Sequence, residues 1–436
     1  MRRSILTLRR LTPIITLDNA VINMWIHEKK NWTNFIWDIE ALASKLADIR
    51  HRQGRLLGRI EGLGFELKRE ASLSTLTNDI VKSSAIEGEN LNPEEVRSSI
   101  ARRLGIKIAG LIPSSRDETA RKRTSSRLRR TNDRSVLYVH EDHEDDENAE
   151  IEGYEQSRNV EGIVEMTLDA TQQFTKPLTK KRMFNWHAAL FPTGRSGMYR
   201  ITVASWRTKD TDPMQVVSGP IGKEKVHFEA PSAARLKKEM REFLAWFDHG
   251  DDTDPVIKAG IAHLWFVTIH PFEDGNGRIA RAIGDMALAR ADGTQNRFYS
   301  LSSQIEAERK QYYDELEKQQ RATPDITDWL SWFLDCLGRA ISNAEITLGN
   351  VLFKAQLWDI INQKPVNDRQ RLIINRMLED NFAGFMNTSK YAKLAKCSND
   401  TALRDIQELK ERGIFLQNSS GGRSTSYRLP NLNELP

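Results

Sequence analysis

Cysteine is nearly absent from this chain. Cys336 and Cys397 are the two among 436 residues, and they lie far apart. That spacing excludes a disulfide framework and a cysteine-based metal site, and it fits a reducing cytoplasm. Long apolar runs are missing too. None reaches the roughly 18 residues of a membrane span, so no membrane partner is expected. Neither sign of charge prevails: 64 Lys and Arg against 60 Asp and Glu leave a formal net charge of +4. A balance this even does not by itself imply nucleic acid. Residues 1–23 contain arginines but no sustained apolar core, which argues against a signal peptide. Met24 is an alternative start, with residues 1–23 as an extension. The Gly-x-x-x-x-Gly-Lys-Ser/Thr phosphate loop and the EF-hand ligand spacing are also absent.

What is present is enough apolar residue, 39%, to build real cores, and enough length for two or three domains of roughly 100–200 residues. The expected class is mainly α. From Trp25 to about Ala109 the chain reads as helical, opening on the aromatic cluster Trp25, Trp32, Phe35 and Trp37. Leu73, Leu76 and Ile80 share one helix face. That helix is expected to end at Glu87-Gly88, the glycine taking the left-handed conformation. A second helix starts with Asn92 as N-cap, Pro93 as its first residue and Glu95 completing a capping box. Residues 114–157 are different: a basic block, Arg116 to Arg134, precedes an acidic one, Glu141 to Glu155. They read as a weakly ordered charged insertion.

From 158 to 345 the pattern is again helical, with one interruption. Met214 to Ser218 and Val226 to Phe228 read as two strands joined by Gly219-Pro220-Ile221-Gly222, a β-hairpin. Ile257, Ile261, Leu264 and Val267 form a helical stripe that runs up to His270. Ile279, Ile283 and Met286 form another just beyond it. The last region, 346–436, offers helices over Arg371–Leu378, Thr388–Lys396 and Asn399–Arg412, the last with Leu403, Ile406 and Leu409 inward. A strand–turn–strand then covers Gly413–Leu416 and Ser426–Leu429. That order is a winged helix-turn-helix.

The chemistry concentrates in His270-Pro-Phe-Glu-Asp-Gly-Asn-Gly-Arg-Ile-Ala-Arg281. Gly275, Asn276 and Gly277 make a turn whose N–H groups can converge, and the turn opens a helix, so both features favour a phosphate. Arg278 and Arg281 stand three apart on that helix and can clamp further phosphate oxygens. Asp274 is placed to hold Mg²⁺, which commonly takes one or two carboxylates besides phosphate and water. His270 can take a proton from a hydroxyl near neutral pH.

This stretch resembles the motif of the Fic family, His-x-Phe-x-Asp/Glu-Gly-Asn-Gly-Arg-x-x-Arg, at every fixed position. The resemblance implies transfer of AMP from ATP to a Ser, Thr or Tyr hydroxyl of a protein. His270 would be the base, Asp274 the Mg²⁺ ligand, and Gly275 to Arg281 would surround the phosphates. Val216, Val217, Ser218, Val226 and His227 look like the family's flap, which aligns a target segment by strand addition. Tyr312 and Gln320 stand where similar proteins contact adenine. Ser83-Ser-Ala-Ile-Glu87-Gly88 resembles the family's inhibitory signature, in which the glutamate pairs with the second motif arginine, here Arg281. The N-terminal segment and the winged region also look like those of bacterial Fic proteins.

The expected activity is thus a self-inhibited protein adenylyltransferase that uses ATP and Mg²⁺ and acts on an unidentified protein or on itself. Two other readings share the sequence. One is removal of AMP, with Glu87 orienting a water molecule. The other is a DNA-binding regulator, with Lys390, Lys393, Lys396, Arg404, Lys410, Arg412 and Arg423 on phosphates and a nucleotide-sensing central domain. A homodimer is a further expectation.

Overall fold

The computed structural model describes residues 24–106, 159–220, 222–249, 252–363, 366–378, 382, 384–418, 425–431 and 434, without the side chain of Glu66. The charged insertion, the 1–23 extension and Arg423 lie outside the described residues. Fourteen α-helices and three two-stranded sheets are described. The chain divides into two compact units, Met1–Ala344 and Glu345–Pro436.

In the first unit a short 3-10 turn, Ile26–Glu28, precedes α1, Ile39–Glu61. Asp38 caps α1 by accepting from the N–H groups of Glu40 and Ala41. Leu42, Ile49, Leu56 and Ile60 form its buried face. In α2, Phe65–Ile86, the expected stripe of Leu73, Leu76 and Ile80 is buried. α3, Pro93–Arg103, has Asn92 as cap, but the cap accepts from Glu94 N at 2.9 Å. The reciprocal box with Glu95 does not form. α4 covers residues 159–172 and α5 covers Lys180–Leu190. Two strands, β1 (Arg195–Ser196) and β2 (Tyr199–Arg200), make a tight pair.

The hairpin is β3, Gln215–Ser218, against β4, Lys225–Glu229. Its register slips between Val216 and Val217, whose partners are Phe228 and Val226; His227 is therefore the extra residue of a β-bulge. The slip was not legible in the alternation of the two strands. α6, Leu236–Asp248, leads to the central pair, α7 (Pro255–Ile269) and α8 (Asn276–Asp292). Every residue of α7 from Ala259 to Ile269 is buried, so this stretch has no solvent face; the expected stripe describes one side of it. α9 (Leu301–Ala307), α10 (Arg309–Arg321) and α11 (Thr327–Gln363) follow, and the boundary between the two units falls within α11.

The second unit has its own core of Leu357, Ile361, Ile373, Ile374, Met386, Tyr391, Ile406, Leu409, Phe415 and Tyr427. α12 (Asp368–Met377), α13 (Thr388–Ala395) and α14 (Asn399–Glu411) are followed by β5 (Leu416–Gln417) paired with β6 (Tyr427–Arg428). Three helices followed by a strand pair is the order of elements expected from the sequence. α12 starts three residues before the expected point, because Asn367 and Gln370 form a capping box. The inward face of α14 is Ala402, Ile406 and Leu409. Leu403 is 47% exposed, one position off the stripe and so turned about 100° away from it.

Candidate active site

His270 ends α7 in the left-handed conformation, at φ 51° and ψ 58°. A bend there stops the helix and swings the next four residues across to α8. Nδ1 of His270 lies 3.3 Å from the carbonyl of Val267. A carbonyl can only accept, so this contact assigns the proton to Nδ1 and leaves the lone pair on Nε2. Burial pushes the imidazole down to about 4, and the nearby Arg207 cation adds to the effect. His270 is therefore neutral at ordinary pH. Arg207, itself 3% exposed, donates from Nε to the carbonyl oxygen of His270 at 2.8 Å and from Nη1 to Asp212 at 2.7 Å. It also donates to the Pro231 carbonyl. Its role as the brace of His270 was not apparent in the sequence.

The turn after His270 is held by its own side chains. Asn276 accepts from Phe272 N and donates to Phe272 O, both at 2.9 Å. Its amide is thus committed to the loop, leaving its backbone N–H for a ligand. Phe272 is buried and stacks on His187, with centroids 4.2 Å apart. His187, kept neutral by burial at about 4, accepts from Ala204 N and donates to the carbonyl of Asp274. Asp274 is half-buried; its carboxylate accepts from Gly275 N at 2.6 Å and from the Ser196 hydroxyl. Gly275 sits at φ 80° and packs against Phe191, where a Cβ would lie 2.8 Å from the ring. Only glycine combines that backbone with that approach.

The N-terminus of α8 faces acids from α2. α2 ends in a Schellman arrangement, Glu89 N on Ser84 O with Gly88 at φ 87°. That turn presents two carboxylates to the two arginines. Glu87 pairs with Arg281 Nη2 and Glu89 with Arg278 Nη1, each at 2.7 Å. Ser83 supplies its hydroxyl and its carbonyl to Arg281 at 2.8 and 2.9 Å. Burial works against the charge of Arg281, but Glu87 and the neighbouring tyrosines hold its pKa above the ordinary value. A Cβ on Gly277 would lie 2.2 Å from Oε1 of Glu87. The Glu87 carboxylate thus rests directly over the first turn of α8. Two buried donors, Nε of Arg278 and Nη1 of Arg281, find no hydrogen-bond partner among the described residues.

A cleft of about 740 Å³ opens onto this turn. His270, Asp274, Asn276, Gly277 and Glu87 line one part, and Val216, Val217, Ser218 and His227 line another. α10 contributes Tyr312 and Gln320. Arg281 and Ser83 stand behind Glu87 rather than in the lining; Arg278, Gly275, Gly88 and Val226 are also outside it. The Tyr312 hydroxyl is 2.8 Å from Nε2 of His263, a fully buried imidazole that burial lowers to about 3. Gln320 is buried, its amide 3.5 Å from the Thr268 hydroxyl. Tyr313 and Glu317 join the lining, and neither had drawn attention in the sequence.

Residues 177–288 match the family model described as the Fic/DOC family. The chain carries a Fic/DOC domain. Residues 25–106, which include α1, α2 and α3, match a second model, a domain of unknown function named DUF4172. Over 113 residues the chain is 30% identical to proteins named "Protein adenylyltransferase Fic" from Drosophila melanogaster and Drosophila virilis. The match takes in 26% of this chain and 21% and 22% of those proteins, so it spans about a fifth of their length. Among solved structures, a Fic family protein from Desulfovibrio desulfuricans is 19% identical with a TM-score of 0.44, covering 89% of this chain and 96% of that one. Fic-1 from C. elegans is 17% identical with a TM-score of 0.42, covering 70% and 73%.

Among the described residues no helix is long and apolar enough to cross a membrane. Nor does any group of three or more acidic, histidine or cysteine residues stand ready to hold a metal. Within residues 177–288, Asp274 brings a carboxylate to the cleft beside the turn that opens α8. That donor set fits Mg²⁺, which takes few protein ligands and completes its shell with phosphate and water.

Proposed function

We propose that the Fic domain transfers AMP from ATP to a hydroxyl group of a protein, and that Glu87 holds it inhibited. The observation that carries this reading is the position of the Glu87 carboxylate. An acid of the chain itself lies over the first turn of α8 and pairs with Arg281, where helix N–H groups and two arginines favour an anion. Displacing it leaves a vacant phosphate site next to a neutral base.

The reaction then follows from the residues. ATP lies with its phosphates at Gly275–Gly277 and its α-phosphate toward His270. Nε2 of His270 takes the proton of the incoming hydroxyl as its oxygen bonds to that phosphorus. The bond to the bridging oxygen breaks, and pyrophosphate leaves with the electron pair. Arg278, Arg281 and the α8 N-terminus hold the leaving charge. Mg²⁺, held by Asp274, would neutralise further charge on the phosphates. Hydrogen bonds from His187 and Ser196 keep Asp274 and its loop in place, while Arg207 fixes the carbonyl of His270. General-base catalysis of this kind is worth about 10²–10⁴-fold.

The test is transfer of label from α-labelled ATP with Mg²⁺. Glu87→Gly should label protein well above the wild type, and Glu87→Gly/His270→Ala should lose that label by at least about a hundredfold. Equal labelling of all three proteins would overturn both assignments.

A further inference from the structure

The flap contains a hydrogen-bond chain that the AMP chemistry does not use. Glu317, on α10, lies 2.6 Å from Nδ1 of His227, on β4. Nε2 of the same ring lies 2.5 Å from Oγ of Ser218, on β3. An ionised carboxylate only accepts, so Nδ1 carries the proton and Nε2 the lone pair, and the Ser218 hydroxyl donates to it. Burial opposes the Glu317 charge. The hydrogen bond from His227, with Lys225 at 3.6 Å and Arg321 at 3.4 Å, still holds its carboxyl below the usual range.

Carboxylate, imidazole and hydroxyl in this order form the arrangement that converts a serine into a nucleophile. A second observation points the same way. His227 is the bulged residue of the hairpin. Bulges recur where a strand must re-aim one side chain beside a site, and here the re-aimed side chain bridges Ser218 and Glu317. All three residues line the cleft, together with Arg309, whose guanidinium lies over the Tyr313 ring, and with Lys310, which is paired with Asp314 at 2.6 Å. The Arg309 cation favours an electrophile that carries negative oxygens, a phosphorus ester over a neutral carboxylic ester.

We propose that Ser218, His227 and Glu317 form a second nucleophilic centre of the cleft, which takes an activated phosphate ester or anhydride. Oγ of Ser218 bonds to phosphorus, the proton moves to Nε2 of His227, and the leaving group departs with the electron pair of its bond. Glu317 stabilises the imidazolium. Ser218 is left as a phosphate ester. The centre does not need the phosphate turn of α8, so it operates with Glu87 in place.

The test uses the full-length wild-type chain and a fluorophosphonate probe, which expels fluoride on attack, followed by peptide mapping. Ser218 is the expected site. Ser218→Ala should take no label. His227→Gln should label about a hundredfold more slowly, the lower end for loss of a general base. Glu317→Gln keeps an acceptor for Nδ1 but removes the charge, and should slow labelling about tenfold while leaving the flap folded. Label on another residue, or equal rates for wild type, His227→Gln and Glu317→Gln, would overturn the proposal and leave the chain as a structural tie between flap and α10.

Discussion

At the scale of single residues, His270 is defined by what it is denied. Burial and the Arg207 cation hold its imidazole at about 4, so it is deprotonated across the neutral range and available as a base. Activity should therefore be flat near neutral pH and fall in acid. The acid limb of kcat/KM for AMP transfer in the Glu87→Gly protein should lie near pH 4 rather than near the ordinary 6.5 of histidine. A limb near 6.5 would mean that His270 is solvated when it works. Glu89 is the residue the motif did not announce. It pairs with Arg278 as Glu87 pairs with Arg281, but its side chain is 41% exposed. Exposed pairs contribute little, so Glu89→Gln should raise AMP transfer only a few-fold, far less than Glu87→Gly. Equal effects of the two substitutions in the labelling assay would show that both carboxylates block the site.

At the scale of elements, the question is what keeps α2 against α8. Two carboxylates meet there: Asp79 of α2 and Asp285 of α8 are hydrogen-bonded to each other and almost fully buried. Ser300 donates to Asp79 at 2.6 Å, and Arg297 donates to Asp285 at 3.1 Å while also serving Asp292. Burial and the Asp79 charge push the Asp285 carboxyl well above its usual range, against the pull of Arg297 and Arg281. A carboxyl raised in the folded state binds its proton more tightly than in the unfolded chain. Its contribution is therefore present at low pH and is lost as pH rises from the ordinary carboxylate range through the raised value. The slope is at most about 1.4 kcal/mol per pH unit for one proton. Asp285→Asn cannot ionise and still offers Asp79 a donor. In urea unfolding between pH 5 and 9 the wild type should lose stability relative to this variant as pH rises; parallel profiles would refute the raised Asp285 carboxyl. Such a pair is not legible in sequence, because residues 79 and 285 are joined only by folding. The same holds for the partners of Arg207, His187 and His263, which lie 63, 87 and 49 residues away. His270 to Arg281 was legible because base, carboxylate, turn and arginines are contiguous. The hairpin was legible from its turn residues, whereas its bulge depends on which cross-strand pairs form.

At the scale of the molecule, the helical class followed from periodicity, since three- and four-residue spacing survives in α2 and α14. The misplaced Leu403 and the enclosed stretches of α7, residues 259–269, and α8, residues 278–289, mark where periodicity stops informing. One residue of phase decides which side is buried, and a helix enclosed on every side has no phase to read. Two units with separate cores make ligand linkage a clean test of the whole arrangement. A ligand that binds only the folded first unit stabilises it by about 2.7 kcal/mol at a hundred times its Kd. Calorimetry with and without ATP and Mg²⁺ should therefore raise the transition that carries the Fic domain. The transition built on Ile406 and Tyr391, identified by its loss of stability in Ile406→Ala, should not move. In the wild type the Glu87 carboxylate rests over Gly277 and pairs with Arg281, so on the proposed function ATP would have to displace it before gaining the same contacts. The rise should accordingly be larger in Glu87→Gly than in the wild type at equal ATP. Equal shifts in the two proteins would mean that the carboxylate over Gly277 does not compete with phosphate, and that inhibition, if present, acts on the reacting geometry rather than on binding.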